Sequence, residues 1–188
     1  MKMIATRAEF NHVVAFEVSK QQLVVQRLPA DEQETIANSA QAVRRLLRAE
    51  MKRVAKVEGA ALLVICEATG GNERHVLEVA IELGLACHCA HGSRVRFFAK
   101  YLGFDAKTDG IDARMIASYG LRSERLRLYA PPSPEEQALK DLKARRDEIQ
   151  AMMIAEGNRL EHARHATVVK SLKQHLAALT SAYGQSER

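Results

Sequence analysis

Four carboxylates in this chain have the types and spacing needed for phosphoryl-transfer chemistry: Glu17, Glu67, Asp109 and Asp112. Asp109 and Asp112 lie in the run Lys107-Thr108-Asp109-Gly110-Ile111-Asp112-Ala113, and at i, i+3 on a helix they would share one face. Glu67 closes the apolar run of residues 61–66 and is followed by Ala68-Thr69-Gly70-Gly71. Glu17 closes another such run, residues 12–16. Two acids at strand ends and two on a helix can gather into a cluster of hard oxygen ligands for Mg²⁺ or Mn²⁺, a kind of site that performs phosphoryl transfer.

A polyanionic substrate would also need cations nearby. The net charge is +5, and it is unevenly spread: residues 1–92 carry 11 basic and 11 acidic side chains, whereas residues 93–129 carry 8 basic and 4 acidic. Arg94, Arg96, Lys100, Lys107 and Arg114 flank the Asp109/Asp112 run and are the candidate phosphate contacts. Cys87-His88-Cys89-Ala90-His91 invites a zinc reading, but no second Cys/His cluster stands at a suitable spacing, and cysteines are commonly buried in strands.

The elements that must position these groups follow from hydrophobic patterning. Residues 12–18 and 22–28 read as strands joined by a short turn, with Pro29 ending the second and a weaker strand at 32–37. Ser39 caps a helix to about residue 57, with Val43, Leu46, Leu47, Met51 and Val54 in one stripe. The continuous apolar run 60–66 predicts a central strand covered on both faces. Asn72 is expected to cap a helix through Leu83, followed by a short strand at 85–90 and helices at 93–102 and 109–119. The order is that of an α/β fold with a mixed sheet.

Pro131-Pro132-Ser133-Pro134 marks a boundary, giving residues 1–130 as the α/β domain and 131–188 as a helical, coiled-coil-like extension. The extension reads as one long helix, or two joined near Gly157-Asn158. Its apolar stripe needs a partner helix in cis or across a homo-oligomer. No apolar run approaches the roughly 18 residues of a membrane span, and the first residues lack a signal-peptide core. Three cysteines, an odd number, argue against a disulfide framework and fit a reducing cytoplasm.

The motifs together resemble the N-terminal half of DEDD-type insertion-sequence transposases, the group that includes the pilin-gene invertase. Phe16-Glu17-Val18-Ser19-Lys20 resembles that family's Gly-Ile-Asp-Val-Ser-Lys strand. Cys66-Glu67-Ala68-Thr69-Gly70-Gly71-Asn72-Glu73 resembles its Glu-Ala-Thr-Gly-Gly-Tyr-Glu segment. Ser93-Arg94-Val95-Arg96-Phe97-Phe98-Ala99 resembles its Gln-Val-Arg-x-Phe-Ala helix, and Lys107-Thr108-Asp109-Gly110-Ile111-Asp112-Ala113 its Lys-Thr-Asp-x-x-Asp-Ala motif. The likeness spans about residues 12 to 180, in the family's order and spacing.

The resemblance implies an RNase H-like fold of the RuvC kind, followed by the long helical extension. Glu17, Glu67, Asp109 and Asp112 would bind two Mg²⁺ or Mn²⁺ ions and cleave or join DNA strands. In some relatives a structured guide RNA directs the choice of site. Two departures qualify this. Glu17 stands where the family has Asp, and the family's C-terminal domain with its nucleophilic serine has no counterpart before Arg188, so a fragment or truncated relative is expected. The alternative is a catalytically silent module that binds nucleic acid and oligomerises. His91-Gly92 also replaces the usual Asn-Pro ahead of the arginine-bearing helix.

Overall fold

A computed structural model of the chain describes residues 4–6, 10–104, 112–123 and 125–185. It comprises two compact units, Met1–Pro131 and Pro132–Arg188.

The first unit is built on a five-stranded sheet. Strands β2 (His12–Val18), β3 (Gln22–Leu28) and β4 (Glu32–Ala37) form an antiparallel meander. Strands β5 (Leu62–Glu67) and β6 (Ala86–Ala90) then join β2 in parallel, giving the spatial order β4-β3-β2-β5-β6. The parallel pairs require crossovers, and helices α1 (Ala40–Val54) and α2 (Arg74–Glu82) supply them. A meander continued on one side by two parallel crossovers is the RNase H-like arrangement. A separate short pair, β1 (Ile4–Thr6) with β7 (Arg125–Arg127), lies outside this sheet.

Alternation along β2 and β5 builds two cores, because successive side chains point to opposite faces. Val14, Phe16, Val64 and Cys66 pack with Val43 and Leu47 of α1 and Val76 and Val79 of α2. Val13, Ala15, Leu63 and Ile65 pack on the other side with Val95 of α3 (Gly92–Tyr101) and Ile116 and Ala117 of α4 (Ala113–Arg122). Gly120 lets α4 approach closely: a Cβ there would stand 3.2 Å from Ile65 Cδ1 and 3.4 Å from Val13 Cγ1. The run at 60–66 is thus sandwiched between layers, as its unbroken apolarity predicts.

Local signals explain most boundaries. Ser39 caps α1 through the Ala42 N–H, and Val43, Leu46, Leu47 and Val54 are buried beneath it. Asn72 does not cap α2, which starts at Arg74 after Glu73; Asn72 instead offers its carbonyl to the Asn38 side chain at 2.9 Å. Glu50 lies on the apolar stripe of α1 and is buried with Arg27 of β3, its Oε1 accepting the Arg27 Nε–H at 2.6 Å.

The second unit is a helical hairpin of α5 (Pro134–His162) and α6 (Ala166–Gln185). Ser133 and Glu136 form a reciprocal capping box at its start, with Pro134 in the first turn. The break falls at residues 163–165 rather than at Gly157-Asn158, both of which are helical. The helices fold back on each other, with His175 meeting Glu156 at 3.1 Å and Ile149 and Leu179 buried. Among the described residues no helix is long and apolar enough to cross a membrane.

Candidate active site

Strands β2 and β5 run in register with Phe16 beside Cys66, so the residues that follow, Glu17 and Glu67, end neighbouring strands at one edge. Each lies two residues beyond a member of the core covered by α3 and α4, Ala15 and Ile65, and therefore shares that face of the sheet. Both are half-buried. Asp112 reaches the same face as the N-cap of α4. Its backbone is extended, at φ −89° and ψ 165°, and its carboxylate accepts the Met115 N–H at 2.6 Å.

Asp112 corrects the expectation of a helix beginning at Asp109. The helix starts at Ala113, so Asp112 precedes the first turn instead of standing one turn inside it. Aspartate is among the strongest N-caps, and its bond to the third amide of the helix accounts for the choice. Asp109 lies outside the described residues, as does Lys107.

Glu17 feels both of the other described acids. Burial raises the Glu17 carboxyl above its ordinary range; the Asp112 charge raises it further and Glu67 adds to this, while an N–H bond from Ala113 works in the opposite direction. Burial likewise raises Glu67, and the charges of Arg96 and His91 oppose it. Among the described residues no three His, Cys, Asp or Glu side chains form a group that could hold a metal ion. The donors themselves suit a hard cation: they are all carboxylates, and their mutual repulsion is what a positive ion would relieve.

Two further residues, Glu73 and Gly92, position this edge. Glu73 draws the Gly70-Gly71 turn together: its Oε2 accepts the Thr69 hydroxyl at 2.7 Å, the Gly71 N–H at 2.9 Å and the Thr69 N–H at 3.1 Å. Burial would raise the Glu73 carboxyl, but these bonds and its own amide outweigh it and hold the group below its usual range. Gly92 faces the Glu67 carboxylate directly. A Cβ there would fall inside the envelope of Glu67 Oε1 and 3.2 Å from Cδ. The glycine-for-proline difference ahead of α3 was the visible sign, and only the packing gives it meaning.

The candidate phosphate contacts divide. Arg94, Arg96 and Lys100 are exposed on α3. Arg114 on α4 is paired with Asp31 at 2.9 Å, although both ends are solvent-exposed. The zinc constellation is not assembled. His91 lies beyond β6 and caps α3, accepting the Ser93 N–H, and burial pushes the Cys87 thiol up to about 11, with Cys89 adding to the effect.

The family profile described as a transposase of the DEDD, IS110 type matches residues 9–168. The chain belongs to the DEDD transposase family. This ties it to DNA transposition. No curated protein matches the chain. Among solved structures it is similar to RuvC of T. thermophilus in complex with a Holliday junction substrate, at 15% identity over 63% of this chain and 99% of that one, with a TM-score of 0.35. In the transposase chain the match covers the whole sheet, all four helices packed on it, and α5.

Proposed function

We propose that this transposase-family chain carries the metal-dependent DNA-strand cleavage and transfer site of a DNA-recombining enzyme, formed by Glu17, Glu67 and Asp112 together with Asp109. The observation that supports the reading is that three acids share one face at one end of the sheet, the first two on adjacent parallel strands and the third at the start of the covering helix, near enough for Asp112 and Glu67 to raise Glu17. Mg²⁺ or Mn²⁺ held there would supply Lewis-acid stabilisation at a phosphoryl oxygen. The chain's own part is to fix the acids: the β2–β5 register sets Glu17 against Glu67, Gly92 leaves room for the Glu67 carboxylate, and Glu73 holds the turn that follows it. Arg94, Arg96 and Lys100 would hold the DNA backbone. Exposed Leu139, Leu142 and Ile154 on α5 support self-association through the hairpin.

A specific observation favours a second reading, the catalytically silent module. Asp112 accepts the Met115 N–H at 2.6 Å and the Ala113 amide acts to lower the Glu17 carboxyl, so both acids already face the N-terminus of α4. Calorimetric Mn²⁺ titration separates the two. On the first reading Glu17→Asp, which restores the family's residue, tightens Mn²⁺ binding, and that gain disappears in the Glu17→Asp/Asp112→Asn double variant because the two acids share an ion. On the second, none of the proteins binds Mn²⁺ measurably, and Glu17→Asp only weakens the fold by roughly 1 kcal/mol through loss of its interaction with the Ala113 amide. Binding to DNA that weakens steeply with salt, and less steeply after Arg94, Arg96 and Lys100 are all changed to Ala, tests the phosphate contacts.

A further inference from the structure

Helix α3 exposes more than cations. Phe97 is 68% exposed, Tyr101 85% and Phe104 53%, three of the five phenylalanine and four tyrosine side chains in the whole protein. Phe97 and Tyr101 are i, i+4 neighbours on one stripe of α3, and Phe104 follows in the Schellman turn that ends the helix. In that turn the Gly103 N–H bonds to Lys100 O at 3.0 Å, the Phe104 N–H bonds to Ala99 O at 3.0 Å, and Gly103 takes a φ of +85°. The inward face of the helix is occupied separately, by buried Val95 with Phe98 packed beside it. The aromatic stripe is therefore surplus to the core.

Cations border it on both flanks. At 100° per residue, Arg94 lies on one side of Phe97, and Lys100 and Arg96 on the other. All three are exposed, and none takes part in an ion pair among the described residues. Phosphate contact alone would explain the cations and leave the rings unexplained. Paired DNA offers phosphates but keeps its bases stacked inside the helix. Unpaired DNA offers both a phosphate chain and free base faces, and a basic groove with aromatic side chains is how single strands are held without regard to sequence.

The geometry points to the outer face of α3 as a platform for an unpaired DNA strand, with Phe97 and Tyr101 stacking on bases while Arg94, Arg96 and Lys100 hold the flanking phosphates. The inference rests on the DNA-recombination reading and extends it: the face keeps a melted strand beside the edge that carries Glu67, whose carboxylate lies against the first residue of the same helix.

The test uses the full chain and three labelled probes of equal length: a single-stranded oligothymidylate, the same backbone without bases, and a duplex. Anisotropy gives each affinity. The parent should prefer the base-bearing strand to the abasic one, and Phe97→Ala/Tyr101→Ala should lose roughly 25-fold or more on the base-bearing strand, taking the lower end of stacking energies for each ring. The double variant should bind the abasic strand like the parent, with the same salt slope, because its phosphate contacts persist. Since the chain has no tryptophan, tyrosine emission can be followed directly; it should be quenched by the oligothymidylate, and less so in Tyr101→Phe, which keeps its affinity. Both substitutions are at exposed positions, and far-UV circular dichroism checks the fold. Equal parent affinity for base-bearing and abasic strands would overturn the platform while leaving the DNA reading intact. Failure to bind any of the three probes would overturn both. Tighter binding to the duplex, or loss of self-association in the double variant with single-strand affinity unchanged, would assign the face to paired DNA or to a second copy and overturn the platform.

Discussion

Gly92 offers the sharpest test of how the acids are placed, because there a single methyl group acts on one carboxylate. Its φ is not positive, and it occupies the first position of α3, so alanine is compatible with the backbone. The added Cβ, however, would lie well inside contact distance of Glu67 Oε1. The obstructing atom is the far end of a flexible side chain, so the carboxylate swings aside while the backbone stays in place. To regain ordinary non-bonded contact the oxygen must retreat by about 1 Å or more. Stability should hardly change: a compatible glycine-to-alanine change contributes about 0.4–1 kcal/mol through the unfolded state, against a similar cost for rearranging the side chain. Metal affinity should respond much more, because changes that reorient a ligand typically cost 10- to 100-fold. The expectation for Gly92→Ala is therefore a melting temperature within a few degrees of the parent and Mn²⁺ affinity reduced by at least tenfold in calorimetry. Glu67→Gln should show the same loss of affinity, and the double variant no further loss. Parent-like Mn²⁺ affinity in Gly92→Ala, with Glu67→Gln impaired, would show that Glu67 ligates from another position and that the close approach to Gly92 is incidental.

Three other outcomes follow from neighbouring contacts. Glu73→Ala removes the acceptor of three bonds in the turn after β5 and should cost about 1–3 kcal/mol in urea denaturation. Glu50→Ala leaves the buried Arg27 guanidinium with only Glu34 at its exposed side and should cost about 3 kcal/mol, whereas Arg27→Met/Glu50→Leu should fall well short of that in the same assay. His88 is held below the usual imidazole range chiefly by burial, with the Arg127 carbonyl it donates to at 2.7 Å opposing the shift and the charge of Arg94 reinforcing it. Its unfolded form takes up a proton first, so the His88 contribution is present above about pH 6.5 and is lost as pH falls from there through the folded pKa; melting at pH 7.5 and 5.5 should show a smaller drop in His88→Gln than in the parent.

The frame of the site was legible because its signals are local. Apolar runs ending in Glu17 and Glu67 announce strands whose last residues leave the core, and Ser39 announces a helix. What escaped was decided by tertiary contacts. Asp109 and Asp112 are both competent caps in a run with helical spacing, and nothing in the run itself says which one the packed helix uses. Asn72 is the stronger cap by type, yet Glu73 is drawn into the turn by amides of Thr69 and Gly71. Glu50 could have been caught: it stands four residues after Leu46 and four before Val54, both buried on the same stripe, so a charge there demands a partner. The hairpin break carries neither Gly nor Pro, and Gly157 stays helical, since a lone glycine in a long helix costs only about 1 kcal/mol.

The departure at position 17 acquires a physical meaning from the start of α4. Glutamate reaches one carbon–carbon bond farther than aspartate, about 1.5 Å, and in this chain the Ala113 amide acts on its carboxyl to lower it. The same amide group and its neighbours would otherwise be among the four unsatisfied donors of a helix N-terminus. Asp112 caps α4 through Met115, while Glu17 feels the Ala113 amide beside it. A divalent cation would compete with those amides for the same oxygens, although each carboxylate has a second oxygen and further lone pairs to offer. Capping and ligation are therefore compatible for each acid taken alone. What sets the balance is the environment of Glu17, which burial raises first and repulsion from the Asp112 and Glu67 charges raises further, and which the Ala113 amide offsets only in part. A cation would remove that repulsion and an aspartate at 17 would sacrifice the Ala113 bond, so the direction in which Mn²⁺ affinity moves in Glu17→Asp reports which of the two interactions the fold has been built around.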